Sequence, residues 1–179
     1  GNERQGVELE AGMEPAAVLG SSTRGTILHK LIEEVLTGEA CDARADLETR
    51  AAELIRQVGH EPAEDPKIGI SAVELAATVL RTLALPDVVT LRPRLVPELP
   101  LFGSQTHEGG EVLLSGQVDA IAFDEAGAID AVVDWKSDVA PDAPSIGHYR
   151  QQIADYRKQT NAKRALLVFM TTGQVVDVT

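Results

Sequence analysis

Apolar residues recur along this chain in two periods. Over residues 24–37 they fall three and four apart, at Leu28, Leu31, Ile32, Val35 and Leu36, behind three hydroxyl residues, Ser21, Ser22 and Thr23. That spacing predicts an amphipathic helix with an N-cap oxygen at its start and Gly38 at its end. A second helix is predicted over residues 43–58, with Leu47, Leu54 and Ile55 inward. A third spans residues 71–85, where Val73, Ala76, Ala77, Leu80 and Leu83 keep the period until Pro86 stops it. Residues 59–67, with Pro62 and Pro66 among acids, read as a loop. Residues 1–20 are rich in Gly and Glu, lack sustained periodicity and read as a linker or mobile lead-in. Residues 21–179 then form a single domain.

Further along the period shortens to two. Residues 92–102 look like a strand, but Pro97 and Pro100 remove ladder donors, which predicts an edge or bulged strand, followed by a polar loop over residues 103–110. The β-branched runs 118–123 and 128–135 flank the turn Asp124-Glu125-Ala126-Gly127 and predict an antiparallel hairpin. A loop over residues 137–144 leads to a helix over 145–160. Strands over 165–170 and 174–178, joined by Thr171-Thr172-Gly173, finish the chain. The layout is α/β, a mixed sheet flanked by helices, with extra helices at its N-terminal side.

The hairpin carries the chemistry. Alternation puts Asp134 and Lys136 on one strand face and Trp135 on the other. With an even connecting loop, Asp134 faces Gln117 and Asp119 lies diagonally opposite Asp134, roughly 7–8 Å away by backbone. Two carboxylates in an apolar hairpin are poorly solvated and repel, so a proton or a cation must neutralise them. Oxygen donors without thiolates favour Mg²⁺ or Mn²⁺. Taken alone, an Asp-x-Lys triplet is an exposed ion pair at a strand end. On the helix over 145–160, Tyr149, Gln152, Ile153 and Tyr156 share a face too polar for a plain core. His29 flanks the apolar stripe of the first helix, in line with Gly25. A glycine there costs a helix about 1 kcal/mol relative to alanine, which predicts a close approach by another segment.

Five stretches in order carry a resemblance: Gly25-Thr26-Ile27-Leu28-His29, Glu98, Gly116-Gln117-Val118-Asp119, Asp134-Trp135-Lys136, and the run from Tyr149 to Tyr156. Together they resemble the RecB/AddA branch of the PD-(D/E)xK nuclease superfamily from about Arg24 onward. The resemblance implies an αβββαβ core and Mg²⁺- or Mn²⁺-dependent hydrolysis of DNA. It implies metal binding by His29, Asp119, Asp134 and the backbone carbonyl of Trp135, catalytic roles for Asp119, Asp134 and Lys136, and supporting or DNA-contacting roles for Glu98, Tyr149, Arg150, Gln152 and Tyr156. Relatives that hold an iron–sulfur cluster use four cysteines. Cys41 is the single cysteine here, so no cluster is expected and the helicase-fused type is.

Composition limits this reading at one point. A net charge of −12 opposes autonomous DNA binding, which relies on Lys and Arg to neutralise phosphates. Arg150, Arg157, Lys158, Lys163 and Arg164 nonetheless cluster in sequence against one acid, Asp155. A helicase domain of the same parent chain, preceding a fragment that begins with glycine, and a second subunit are therefore expected to supply most of the DNA affinity. No phosphate-loop motif occurs, so no nucleotide site is expected in this fragment. No apolar run approaches a membrane span, and one cysteine fits the reducing cytoplasm. The alternative reading is a catalytically silent nuclease fold that guides DNA or docks a partner subunit.

Overall fold

The computed structural model describes residues 18–107 and 110–178, with side chains described outside residues 98–117. Most of the expected lead-in lies outside the described residues. Its end does not, and the Leu19 amide donates to the Pro66 carbonyl at 2.9 Å. Helix α1 (Ser22–Thr37) starts where Ser21 accepts a hydrogen bond from the Arg24 amide and ends at Gly38, with φ of 81°. Helix α2 covers Arg44–Gln57, and α3 covers Ala72–Ala84 behind the Ser71 cap. A fourth helix, α4 (Pro86–Leu91), follows at once and was not expected from the pattern. Pro86 reads as a stop signal, but at the first position of a helix its missing N–H costs nothing and its fixed φ favours initiation. A 3-10 turn, Arg92–Arg94, leads into the sheet.

The strands are β1 (Leu95–His107), β2 (Gly110–Phe123), β3 (Ile129–Lys136), β4 (Arg164–Phe169) and β5 (Gln174–Asp177), with helix α5 (Ala143–Thr160) between β3 and β4. They form one five-stranded sheet in sequence order. Only β3 and β4 run parallel, because α5 crosses over between them. This mixed sheet flanked by helices is the expected α/β class, and β1 lies at the edge, as its prolines require.

The polar loop expected over residues 103–110 is instead strand. β1 and β2 continue as a long hairpin whose register runs to His107 and Gly110. The sequence there shows no strict alternation of apolar and polar residues, which is why the pattern reads as a loop.

One helical layer, α1 to α4, and one helix, α5, sandwich the sheet. Leu28, Leu31, Ile32, Leu47, Ile55, Leu75, Val79 and Leu91 pack with Val133, Trp135 and Val168 on one side. On the other, Ile153 of α5 packs with Ile121, Val132, Leu167 and Phe169. Each fully buried aliphatic of this kind contributes about 1.5–3 kcal/mol before the cost of ordering it. Trp135 thus joins the helical layer, while Asp134 and Lys136 alternate to the α5 side.

Candidate active site

The site forms where α1 meets the C-terminal end of β3 beside the middle of β2. A bulge sets its register. Ala122 pairs with Ala131 but Phe123 with Ile129, so Asp130 is the extra residue. The connecting turn is five residues, 124–128, and not even in number, and this odd turn and the bulge together shift the register by two, which corrects the expected diagonal relation of the two acids. With Ala120 across from Val133, the next position sets Asp119 directly across from Asp134. Turn chemistry is what the bulge accommodates: Asp124 accepts from the Ala126 and Ala128 amides at 2.9 Å each, and Gly127 takes φ of 80°.

The two acids titrate in opposite directions. Burial, then the neighbouring Asp119 carboxylate, push Asp134 up to about 7, against the pull of Lys136. Burial also acts to raise Asp119, but His29, a hydrogen bond from Asp134 and the Trp135 amide outweigh it and hold Asp119 below the usual carboxylate range. The Trp135 amide donates to Asp119 Oδ2 at 2.7 Å. Low-dielectric carboxylate pairs share protons in this way because both cannot ionise cheaply.

His29 closes the group from the helix side. Its Nε2 lies 3.5 Å from Asp119 Oδ2 and 2.7 Å from the Trp135 carbonyl oxygen, and its Nδ1 lies 2.8 Å from the Gly25 carbonyl oxygen. Both carbonyls accept, so both ring nitrogens carry protons. Burial lowers the pKa of this ring, but the Asp119 carboxylate and the two carbonyls together raise it to about 9. Lys136 Nζ stands 2.9 Å from Asp134 Oδ2 and 4.1 Å from the centre of the Tyr149 ring, a cation–π contact. The Tyr149 hydroxyl donates to Asp138 Oδ2 at 2.9 Å, fixing the ring beneath the ammonium.

Of the residues singled out by sequence, His29, Asp119, Asp134, Trp135, Lys136 and Tyr149 converge. Gln152 and Arg150 are exposed on α5, and Tyr156 packs half-buried against the α5-side core. In the β1–β2 register Glu98 falls between Pro97, paired with Ala120, and Leu99, paired with Val118, so its backbone lies across from Asp119. Its side chain is outside the described residues. The basic run is less available than its count suggests. Lys163 pairs with Asp124 at 3.1 Å, and Arg164 pairs with Asp87 at 3.2 Å and Asp177 at 3.3 Å.

Gly25 does meet a close neighbour: a Cβ there would sit 2.5 Å from Ser137 Oγ. Both residues line an open cleft of about 460 Å³ beside His29, with Ser22, Thr26, Lys30 and Glu33. Sequence reasoning missed Arg24, Ser137 and Thr171. Arg24 is 1% exposed. The signal was present, since Arg24 continues the stripe of Leu28, Leu31 and Val35 and a charge on a buried stripe demands partners.

Among the described residues, no three His, Cys, Asp or Glu side chains already surround a common point as a metal cage. The donors are held instead as a charge-compensated network, with the His29 and Lys136 protons against the two carboxyls. That chemistry fits a divalent cation. Nδ1 is tied to the Gly25 carbonyl, which orients Nε2 toward the acids, the usual way a ligating histidine is fixed. A cation would take over the neutralising role of the ring proton. The donors Nε2, Asp119, Asp134 and the Trp135 carbonyl suit Mg²⁺ or Mn²⁺.

A search of curated proteins gives no match. Among solved structures, one titled "Crystal structure of SSO0001" is similar at 19% identity and a TM-score of 0.43, over 88% of this chain and 76% of that one, a likeness too loose to carry weight. The model of the "PD-(D/E)XK nuclease superfamily" matches residues 4–167. That match spans most of the sequence and agrees with the mixed sheet and its flanking helices: the chain belongs to the PD-(D/E)XK nuclease superfamily, whose members are generally phosphodiester-hydrolysing nucleases.

Proposed function

We propose that this domain is a Mg²⁺- or Mn²⁺-dependent deoxyribonuclease of the RecB/AddA type, acting in double-strand break repair and recombination in the cytoplasm as part of an ATP-dependent helicase-nuclease. The observation that carries this reading is the convergence of His29, Asp119, Asp134, the Trp135 carbonyl and Lys136 at one end of the sheet. His29 Nε2, both aspartates and that carbonyl would hold the metal, which when bound supplies Lewis acidity toward the scissile phosphate and water. Lys136 stands on the same face, anchored by Asp134 and the Tyr149 ring, as a preorganised cation for charge that develops on the phosphate. Tyr149, in turn tied to Asp138, restricts where that ammonium can go.

The helicase domain, the second subunit and the repair role rest on the motif resemblance and on charge. A domain at −12 whose Lys163 and Arg164 are already paired depends on other surfaces to hold DNA. The deciding experiment is cleavage of end-labelled DNA by the full-length parent protein, with Mg²⁺ and with EDTA. Metal-dependent shortening supports the reading. Intact DNA in both arms, together with no heat of Mg²⁺ or Mn²⁺ binding by calorimetry, replaces it with the silent guiding or docking module.

A further inference from the structure

The guanidinium of Arg24 lies between four segments. Its Nε and Nη2 donate to Glu74 of α3 at 3.1 and 2.7 Å, and its Nη1 donates to the Ser137 carbonyl at 3.1 Å and to Thr171 Oγ1 at 3.0 Å. The Thr171 hydroxyl donates to the same Ser137 carbonyl at 2.9 Å. Glu74 accepts a further bond from Thr78 at 2.7 Å, so its carboxylate is fixed from its own helix. Ser137 directly follows Lys136, and Arg24 directly precedes Gly25, whose carbonyl holds the His29 ring. The clamp therefore joins the helix that bears His29 to the strand end that bears Asp134, Trp135 and Lys136.

We infer that Arg24, with Thr171, is a positioning residue of the candidate centre: it sets the distance between His29 and the Trp135 carbonyl, and so the affinity of the site for its divalent cation. This rests on the nuclease reading above. A buried arginine needs partners wherever it sits, but the partners here are unequal. Glu74 neutralises the charge, whereas the two bonds to Ser137 and Thr171 add no charge balance. They fix the loop that leaves β3. A planar fork with five donors can serve both sides at once, which an ammonium cannot.

The test uses two variants of the full-length protein. Arg24→Lys keeps a charge for Glu74 but loses the fork. Thr171→Val keeps shape and the Glu74 pair but removes the hydroxyl from Arg24 and Ser137. Mn²⁺ is titrated by calorimetry. Cleavage is followed against metal concentration, and thermal unfolding in EDTA is recorded alongside. Loss of a partner that orients a metal ligand typically lowers affinity about 10–100-fold. The expected result is a rise of about tenfold or more in the Mn²⁺ midpoint in both variants, including any that unfolds at the wild-type temperature. A wild-type midpoint in both folded variants, with only the unfolding temperature lowered, overturns the inference. Should the wild type bind no cation, the nuclease reading fails, and the clamp is then judged by the His29 imidazole resonances in EDTA. Displacement of those resonances in both variants supports the clamp, and unmoved resonances in both overturn it.

Discussion

His29 Nε2 lies 2.7 Å from the carbonyl oxygen of Trp135, across 106 residues of sequence. Since Nδ1 of the same ring donates to Gly25, ligation by Nε2 has to displace a proton that the site itself stabilises. Cation affinity is therefore expected to climb steeply from about pH 6 to about pH 9, with a buffer-dependent calorimetric enthalpy that reveals proton release. In His29→Gln the release measured above pH 7, where Asp134 has already lost its proton, should vanish and affinity should drop. An enthalpy that is the same in all buffers would count against the assignment of Nε2 as a ligand.

The same protons govern the stability of the protein in EDTA. His29 is raised from its ordinary 6.5 to about 9, so the folded chain holds this proton more tightly than the unfolded chain. Its contribution is complete below pH 6.5 and is lost as pH rises to about 9. Asp134 is raised from 3.8 to about 7 and follows the same sign: the folded chain keeps a proton that the unfolded one surrenders, so stability falls between those values. The unfolding temperature should decline from about pH 5 to about pH 9. Asp134→Asn should flatten the lower part of that decline and His29→Gln the upper part.

Lys136→Ala should slow cleavage about 10²–10³-fold, the usual loss on removing one preorganised charge donor. The fold should persist, since Lys136 contributes no core packing. Asp134→Ala should remove activity and site-specific metal heat together. Near wild-type rates in both would end the proposed chemistry.

Gly25 and Ser137 should couple. Gly25→Ala gains up to about 1 kcal/mol of helix propensity but places a methyl 2.5 Å from Ser137 Oγ, which must swing away. In a Ser137→Ala background the nearest contact becomes 3.5 Å, and the gain should appear in full. Urea unfolding of the four proteins measures this as a double-mutant cycle, and additivity would refute the contact.

Charge on and just after α5 separates in the same spirit. Arg150, Lys158 and Lys163 are all exposed, but Lys163 is paired with Asp124. Arg150→Ala should weaken DNA binding by the parent protein and lower its salt slope by about 1, and Lys163→Ala should do neither. Fluorescence anisotropy at several salt concentrations distinguishes the two.

Most of the element order is legible from period and caps, because α1, α2 and α3 each bury one regular face, while β3 and β4 are short apolar runs buried on both. Two features escape for physical reasons. α4 follows Pro86, which carries a stop and a start signal in one residue. The β1–β2 hairpin beyond residue 103 is paired by its backbone, a regularity that polar residues such as Ser104, Gln105 and Thr106 do not announce by period. Within the site, side-chain parity is enough to group Asp119, Asp134 and Lys136, but not to fix the register, which depends on the five-residue turn 124–128 and a bulge at Asp130. Parity also says nothing about Ser137 carbonyl or Thr171. Their roles arise only when Arg24 is folded against them over separations of 113 and 147 residues.

The Arg24 to Thr171 bond also gives the domain a sequence of assembly. A chain leaving the ribosome presents its imidazole early and its carboxyls much later, and the last piece of the latch emerges only after β4 has been synthesised. Contacts this distant close late in folding. The bond between these two residues therefore cannot close on a partly made polypeptide, and the link from α1 to the end of β3 is complete only once residue 171 has been added.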